Sequence, residues 1–294
     1  MYEKNPIIAM IEAGQVPLGM QVFTGHAALV EILGLTGFDF VMIDTEHSSN
    51  DARKLEDLIR AADNVGLTTF VRVSKHDDDS DIHRALEAGA MGVFLPLIKT
   101  PQDISRAAEA AFFPMKGNRG VCPSLRAARY NWASFEDYAR WNNDEVLLIP
   151  MIEQVEALEN IEAICAMKEV KIIVFAAGDL AYAMGEGGKM MESAKVRDAY
   201  ARVLECAKRH GVAVMGGPVL DPTPEACRKA LDTGVTVFCL GLDTMVFRKS
   251  CENIVGALNA GVEGTRFKRP TPPPSGFKGP SVANEALRRS RAKS

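Results

Sequence analysis

The sequence predicts an α/β protein of the (β/α)8 barrel type, in which parallel strands and helices alternate. Three observations predict it. The 294 residues are enough for one barrel-sized domain. β-rich runs alternate with helical patterns about eight times, the count a closed barrel needs. Several apolar runs end in titratable residues, which is costly unless those ends open on a polar site. In a barrel the carboxyl ends of the strands form such a site. An open doubly wound sheet is the competing architecture. It calls for a glycine-rich turn after the first strand, and FTGHAA there lacks GxGxxG.

Taken in order, PLGMQVFTG reads as the first strand and HAALVEILGLTG as the helix after it. GFDFVMID is the second strand, whose apolar run of Phe38, Phe40, Val41, Met42 and Ile43 ends in Asp44, Glu46 and His47. The following helix places Leu55, Leu58, Ile59 and Ala62 at helical spacing. TTFVRVS and GVFLPLI are strands three and four. The helix between them closes at Gly89, and the one after begins at Pro101, a residue favoured in a first turn. After Phe113 the rhythm breaks for a long stretch rich in Gly, Arg and aromatics. A long internal segment of this kind is often a binding loop, and residues 114–144 are expected to read the variable part of a substrate, with Arg119, Arg126 and Arg129 as candidates. VLLIPMIE, VKIIVFAAGDL, VAVMGGPVL and VTVFCLGLDT supply strands five to eight, each with its helix. Residues 1–262 are therefore expected to form the barrel. Residues 263–294, with PTPPPSG and a basic end, are expected to form a flexible tail.

Composition excludes several classes of function. Apolar residues at 47%, charged residues at 24% and a net charge of −4 are ordinary for a globular enzyme and give no electrostatic reason for nucleic acid or a membrane as partner. No apolar stretch approaches a membrane span, and the start MYEKNPIIAMIEAG lacks a signal peptide's basic end. The six cysteines show no CxxC pair or clustered ligand spacing, so reduced thiols in a cytoplasmic protein are expected, with Cys122 in GVCPS the one to watch for reactivity.

Aligning the strand ends gives the candidate site. Asp44 and His47 follow strand two, Arg72 strand three, Glu153 strand five and Asp179 strand six. Glu153 and Asp179 suit a hard cation such as Mg²⁺, Mn²⁺ or Co²⁺, because oxygen donors leave positions for water and substrate. No HxH or HExxH supports zinc, and no serine or cysteine triad stands out. A Schiff-base lysine is disfavoured, since Lys99 and Lys171 fall outside the strand interiors.

IDTEHSSND, FVRVS, LEAGAMGVFLPLI, PMKGNRGV, IPMIEQVEALEN, AAGDLAYAMG and LGLDT follow one another as in the class II, metal-dependent pyruvate aldolases, and over residues 5–260 the chain resembles that family. The resemblance implies a phosphoenolpyruvate/pyruvate-type (β/α)8 barrel that cleaves or forms 4-hydroxy-2-oxo acids through a metal-bound pyruvate enolate. It implies His47 as base, Arg72 as the group stabilising the enolate, Glu153 and Asp179 as metal ligands, and the backbone at Gly178 and Asp179 as the cradle of the pyruvate carboxylate. Glu87 stands where the family commonly has an aspartate serving the histidine. Either Asp44 or Glu87 is expected to orient that ring. Met151 stands two residues before Glu153, where a glutamine is common, so alternation puts it beside the substrate. Ala177 replaces the proline of the usual GPADL. Pyruvate and an aldehyde are the implied small molecules, and a homo-oligomer, a hexamer built as a trimer of dimers, the implied assembly. Oxaloacetate decarboxylation at the same enolate site is the main alternative. A phosphate cradle at VMGGP and CLGLDT is a weaker one, because neither turn holds a Lys or Arg.

Overall fold

The computed structural model describes residues 3–216 and 222–269. Eight parallel strands stand in the order β7-β6-β5-β4-β3-β2-β1-β8. They are β1 (Leu18–Val22), β2 (Phe40–Asp44), β3 (Thr68–Arg72), β4 (Gly92–Leu95), β5 (Leu147–Ile152), β6 (Ile172–Phe175), β7 (Ala213–Met215) and β8 (Phe238–Leu242). The bridge Met215↔Val237 brings the β7 and β8 edges together. The result is a nearly closed barrel, as the alternation predicts.

α1 (Pro6–Glu12) precedes the barrel. α2 (Ala27–Leu35), α3 (Ala52–Asn64), α4 (Asp79–Ala88) and α5 (Pro101–Ala111) follow the first four strands. α6 (Phe135–Glu145) leads into β5, α7 (Val155–Glu159) and α8 (Ile161–Cys165) leave it, and α9 (Ala177–Ala183) and α10 (Ala194–His210) follow β6. α11 (Pro224–Thr233) and α12 (Asp243–Val262) complete the series. The starts obey local chemistry: the Asp51 side chain accepts from the Lys54 N–H, Asp78 accepts from Ser80 and Asp81, and Pro101 and Pro224 sit where no intrahelical donor is needed. The chain divides into two compact units, residues 1–246 and 247–294. The second contains most of α12. The sequence-based boundary at 262/263 falls inside it, and residues 270–294 of the expected tail lie outside the described residues.

Strand alternation builds two apolar layers. Val41, Ile43, Val71, Val93, Leu95 and Leu148 face outward to the helices. Phe40, Met42, Phe70, Phe94, Leu147, Ile149 and Met151 face inward. Phe70 packs edge-on against Phe40 and Phe94, at centroid distances of 5.6 and 6.0 Å. Gly19 is required here, because a Cβ would lie 2.2 Å from the Phe40 ring. Ile7 of α1 joins this inner layer and closes the amino end of the barrel. Buried Asn5 fixes α1 there: its N–H donates to Glu145 at 2.7 Å and its Nδ2 donates to the Met91 carbonyl at 3.3 Å.

That end also holds the long segment between α5 and α6. Arg126 donates to the Ala88 carbonyl at 2.7 Å and pairs with Asp63, and the Ala127 N–H donates to the Glu87 carbonyl. Buried Arg119 stacks on Phe113 and donates to Asn142 at 2.7 Å. A helix-to-strand connection in a parallel barrel runs at the strands' amino ends. Within one chain, therefore, residues 112–134 are remote from the strand ends that carry the candidate site, contrary to the role expected for them.

The aromatic layer should dominate stability. Phe70→Ala is expected to cost about 3–5 kcal/mol, read as a lowered urea midpoint. A loss below about 1 kcal/mol would mean that the inner layer is not the packed core described.

Candidate active site

The parity that points Phe40 and Met42 into the barrel also points Asp44 inward, and Phe70 is followed on the same face by Arg72. The two strands pair with Asp44 opposite Arg72. Asp44 is 0% exposed and Arg72 7% exposed, and the Arg72 Nε donates to Asp44 Oδ1 at 2.6 Å. The second carboxylate oxygen of Asp44 accepts from the His47 N–H at 2.8 Å, and Oδ1 also accepts from the Glu46 N–H at 3.3 Å. Its carbonyl accepts from Asn50 Nδ2 at 2.9 Å. One buried residue thus fixes both the arginine and the loop that bears His47.

The Arg72 guanidinium also lies 3.3 Å from Glu46 Oε2 and 5.7 Å from the centre of the Phe23 ring. The same Glu46 oxygen is 3.5 Å from His47 Nε2, and the His47 side chain is 61% exposed. Glu46 is the residue that the sequence reading missed as a site member, although it stands in the same titratable burst as Asp44 and His47. Of the two acids expected to orient the His47 ring, Asp44 holds its backbone, while Glu87 sits in the last turn of α4, at the amino end of the barrel. Glu46 is the carboxylate beside the ring.

Glu153 follows β5 and is 3% exposed. It accepts from the N–H of Leu97, a non-glycine residue held at φ 56°. Backbone strain of this kind concentrates at functional sites. Burial pushes Glu153 up to about 7. The Leu97 N–H opposes that shift, and the charges of Asp179 and Glu46 add to it. Glu46 is raised as well, by burial first, with Arg72 and His47 pulling it back and Asp44 and Asp179 pushing it up. Asp179 lies in the first turn of α9, beside Gly178. Two carboxylates at the strand ends, one buried and raised by its acidic neighbours, form a donor set that fits a hard divalent cation.

A cavity of about 320 Å³ is lined by Arg72, Met151, Gly178, Asp179, Met190 and Cys239 among others, whereas Asp44, Glu46, His47 and Glu153 do not line it. Met151 belongs both to this lining and to the inner core, so its side chain is at once packing and pocket wall. A larger cavity of about 730 Å³ lies at the opposite end, between α1 and residues 126–132, and none of the site residues lines it. Lys99 is exposed and pairs with Glu156 at 3.1 Å, and Lys171 precedes β6, so neither lysine enters the site cavity. Of the VMGGP turn, Gly216 is described and Gly217 and Pro218 are not.

The raised Glu153 carboxyl has a definite pH signature. The metal-free folded protein keeps that proton up to about pH 7, whereas an ordinary glutamate releases it near 4.5. Between these values the folded state binds more protons than the unfolded chain, so this group's contribution to stability falls as pH rises. Melting temperatures in metal-free buffer from pH 5 to 7.5 should therefore decline more steeply for the wild type than for Glu153→Gln. Mn²⁺ affinity of the wild type should rise over the same range, because the cation displaces the proton. Equal slopes for the two proteins would contradict the burial account of Glu153.

Residues 18–250 match the family described as HpcH/HpaI aldolase/citrate lyase. The chain is 28% identical over 253 residues to a 5-keto-4-deoxy-D-glucarate aldolase of Klebsiella pneumoniae, covering 86% of this chain and 96% of that one. It is 27% identical over 260 residues to a hydroxypyruvate/pyruvate aldolase of Cupriavidus necator, covering 87% and 93%. The solved HpcH/HpaI aldolase from Desulfitobacterium hafniense superposes with a TM-score of 0.80 at 24% identity, over 90% of this chain and 99% of that one. The barrel, the charged residues at its strand ends and a family match across most of the chain agree: this protein belongs to the HpcH/HpaI aldolase/citrate lyase family.

Proposed function

We propose that this enzyme cleaves, and in reverse forms, a 4-hydroxy-2-oxo acid, giving pyruvate and an aldehyde in the cytoplasm. The observation that carries the proposal is the convergence of Arg72, Glu46, Glu153 and His47 at one end of the barrel, with Asp44 buried beneath them. The relatives named as aldolases of a keto-deoxy sugar acid and of hydroxypyruvate or pyruvate support a substrate with a 2-oxo acid head.

Glu153 and Asp179 would hold a divalent cation, Mg²⁺, Mn²⁺ or Co²⁺, which when bound supplies Lewis-acid stabilisation to the 2-oxo oxygen. His47 takes the proton of the 4-hydroxyl, directly or through water, as its exposed position at the mouth allows. The C3–C4 bond then breaks, its electron pair passes into the enolate of pyruvate, and the 4-hydroxyl carbon leaves as the aldehyde. Arg72, fixed by Asp44 and Glu46, supplies positive charge where the enolate oxygen develops. The first-turn N–H groups of Gly178 and Asp179 face no intrahelical acceptor and suit the substrate carboxylate. Met151 gives that pocket an apolar, adaptable wall in place of an amide.

Glu87 and the arginine-bearing segment 112–134 reach a site only if a neighbouring copy presents its amino end. A homo-oligomer, a trimer of dimers as the family resemblance implies, is the proposed working form, and in it a neighbouring copy would supply that end. The exposed side chains of Trp132, Tyr130 and Val121 at that end are consistent with it.

Pyruvate release from 4-hydroxy-2-oxo acids of varied length, with oxaloacetate run alongside, tests the proposal. Release should stop on removal of divalent ions and return with Mn²⁺ or Mg²⁺. Activity on oxaloacetate alone would move the assignment to decarboxylation. Full aldol cleavage without divalent ions would overturn it.

A further inference from the structure

α8 and α10 carry a second constellation that the site described above does not use. Glu162 and Cys165 are three residues apart on α8, and Cys206 and His210 are four apart on α10, spacings that put each pair on one helix face. The helices bring the pairs together. His210 Nε2 lies 2.7 Å from Glu162 Oε1, and Cys206 Sγ lies 3.3 Å from Glu162 Oε2. The ligand atoms of Glu162, Cys206 and His210 are all within 4.8 Å of one another, a convergence unique among the described residues. The Cys165 thiol contacts that of Cys206. No sequence spacing of the CxxC kind announces this group, since Glu162 on α8 lies 44 positions from Cys206 and 48 from His210 on α10.

We propose that Glu162, Cys206 and His210 form a three-donor site for a borderline-soft divalent cation of the Zn²⁺ class, with water as the fourth donor. Sulfur, imidazole and carboxylate together select zinc or cobalt over magnesium. Bond lengths of about 2.0–2.3 Å to such an ion imply donor separations of about 3.3–3.7 Å in a tetrahedron. The two separations to Glu162, 2.7 and 3.3 Å, lie at or below that range, and all three ligand atoms lie within 4.8 Å of one another, so the side chains would have to spread slightly to admit an ion. Two features set the cost. Arg209 donates to Glu162 Oε2 at 2.7 Å and must give up that oxygen. The Cys206 thiol is raised by burial and by Glu162, so binding has to release its proton. The ion would pin α8, which follows the strand presenting Glu153, to α10, which follows the one presenting Asp179. It would act there as a structural clamp outside the barrel.

The test uses the full chain, stripped of metal and titrated with Co²⁺ and then Zn²⁺. Co²⁺ should give a thiolate-to-cobalt charge-transfer band that an all-oxygen site cannot produce. The band should vanish in Cys206→Ser and in His210→Ala. Zn²⁺ should raise the melting temperature of the wild type more than that of His210→Ala, whose affinity at this site should be at least about tenfold weaker, since even groups that merely support a ligand cost that much when lost. Should Cys206→Ser fail to fold, His210→Ala and Glu162→Gln, altered at partly exposed side chains, carry the test. Absence of the band, or a band unchanged in the His210 and Glu162 variants, would overturn the proposal and assign any thiolate signal elsewhere, such as Cys239 in the barrel cavity.

Discussion

The buried ion pair between Asp44 and Arg72 is the interaction on which the candidate site depends. It joins two neighbouring strands at opposed register positions, under almost no solvent. A buried charge left alone is strongly destabilising, by about 3–5 kcal/mol when one partner of such a pair is removed. The pair is therefore kept closed, and Asp44 spends its remaining oxygen on the loop that carries Glu46 and His47. The arginine is positioned before any substrate arrives, which is how fixed charge stabilises an enolate without reorganising at the moment of reaction.

Around that pair, acidic residues outnumber basic ones. The charge of Asp179 makes Glu46 and Glu153 costlier to ionise and Glu46 adds to the cost at Glu153, with Arg72 compensating both in part and His47 compensating Glu46. An excess of buried or crowded carboxylates is unfavourable in the metal-free protein and is relieved by a divalent cation. Burial first, and that crowding after it, holds Glu153 as an acid up to about pH 7 against the opposing N–H of Leu97. Strand parity determines the depth: aromatic residues fill the barrel beneath, and the next inward positions after Met42, Phe70 and Met151 are Asp44, Arg72 and Glu153.

That parity made much of the site legible in the sequence. FDFVMID and TFVR show the alternation directly, and Arg72, Glu153 and Asp179 each interrupt or close an apolar run. What stayed hidden concerns which end of the barrel a segment occupies. Residues 112–134 look like a binding loop by composition, but they join α5 to α6 ahead of β5 and so pack at the amino end, with Glu87. Glu46 was in view but its contacts to Arg72 and His47 depend on how Asp44 folds the loop back. The Glu162, Cys206 and His210 group depends on two outer helices lying side by side, which no local spacing records.

The central claim is that Arg72, fixed by Asp44, stabilises the pyruvate enolate. Exchange of the C3 protons of pyruvate into deuterated water, followed by proton NMR, isolates that step from aldehyde binding. Removing a fixed charge of this kind costs about 10²–10³ in rate. Arg72→Ala should lose exchange by about that factor in metal-loaded enzyme that retains its fold by circular dichroism. Near wild-type exchange in folded, metal-loaded Arg72→Ala would contradict the account.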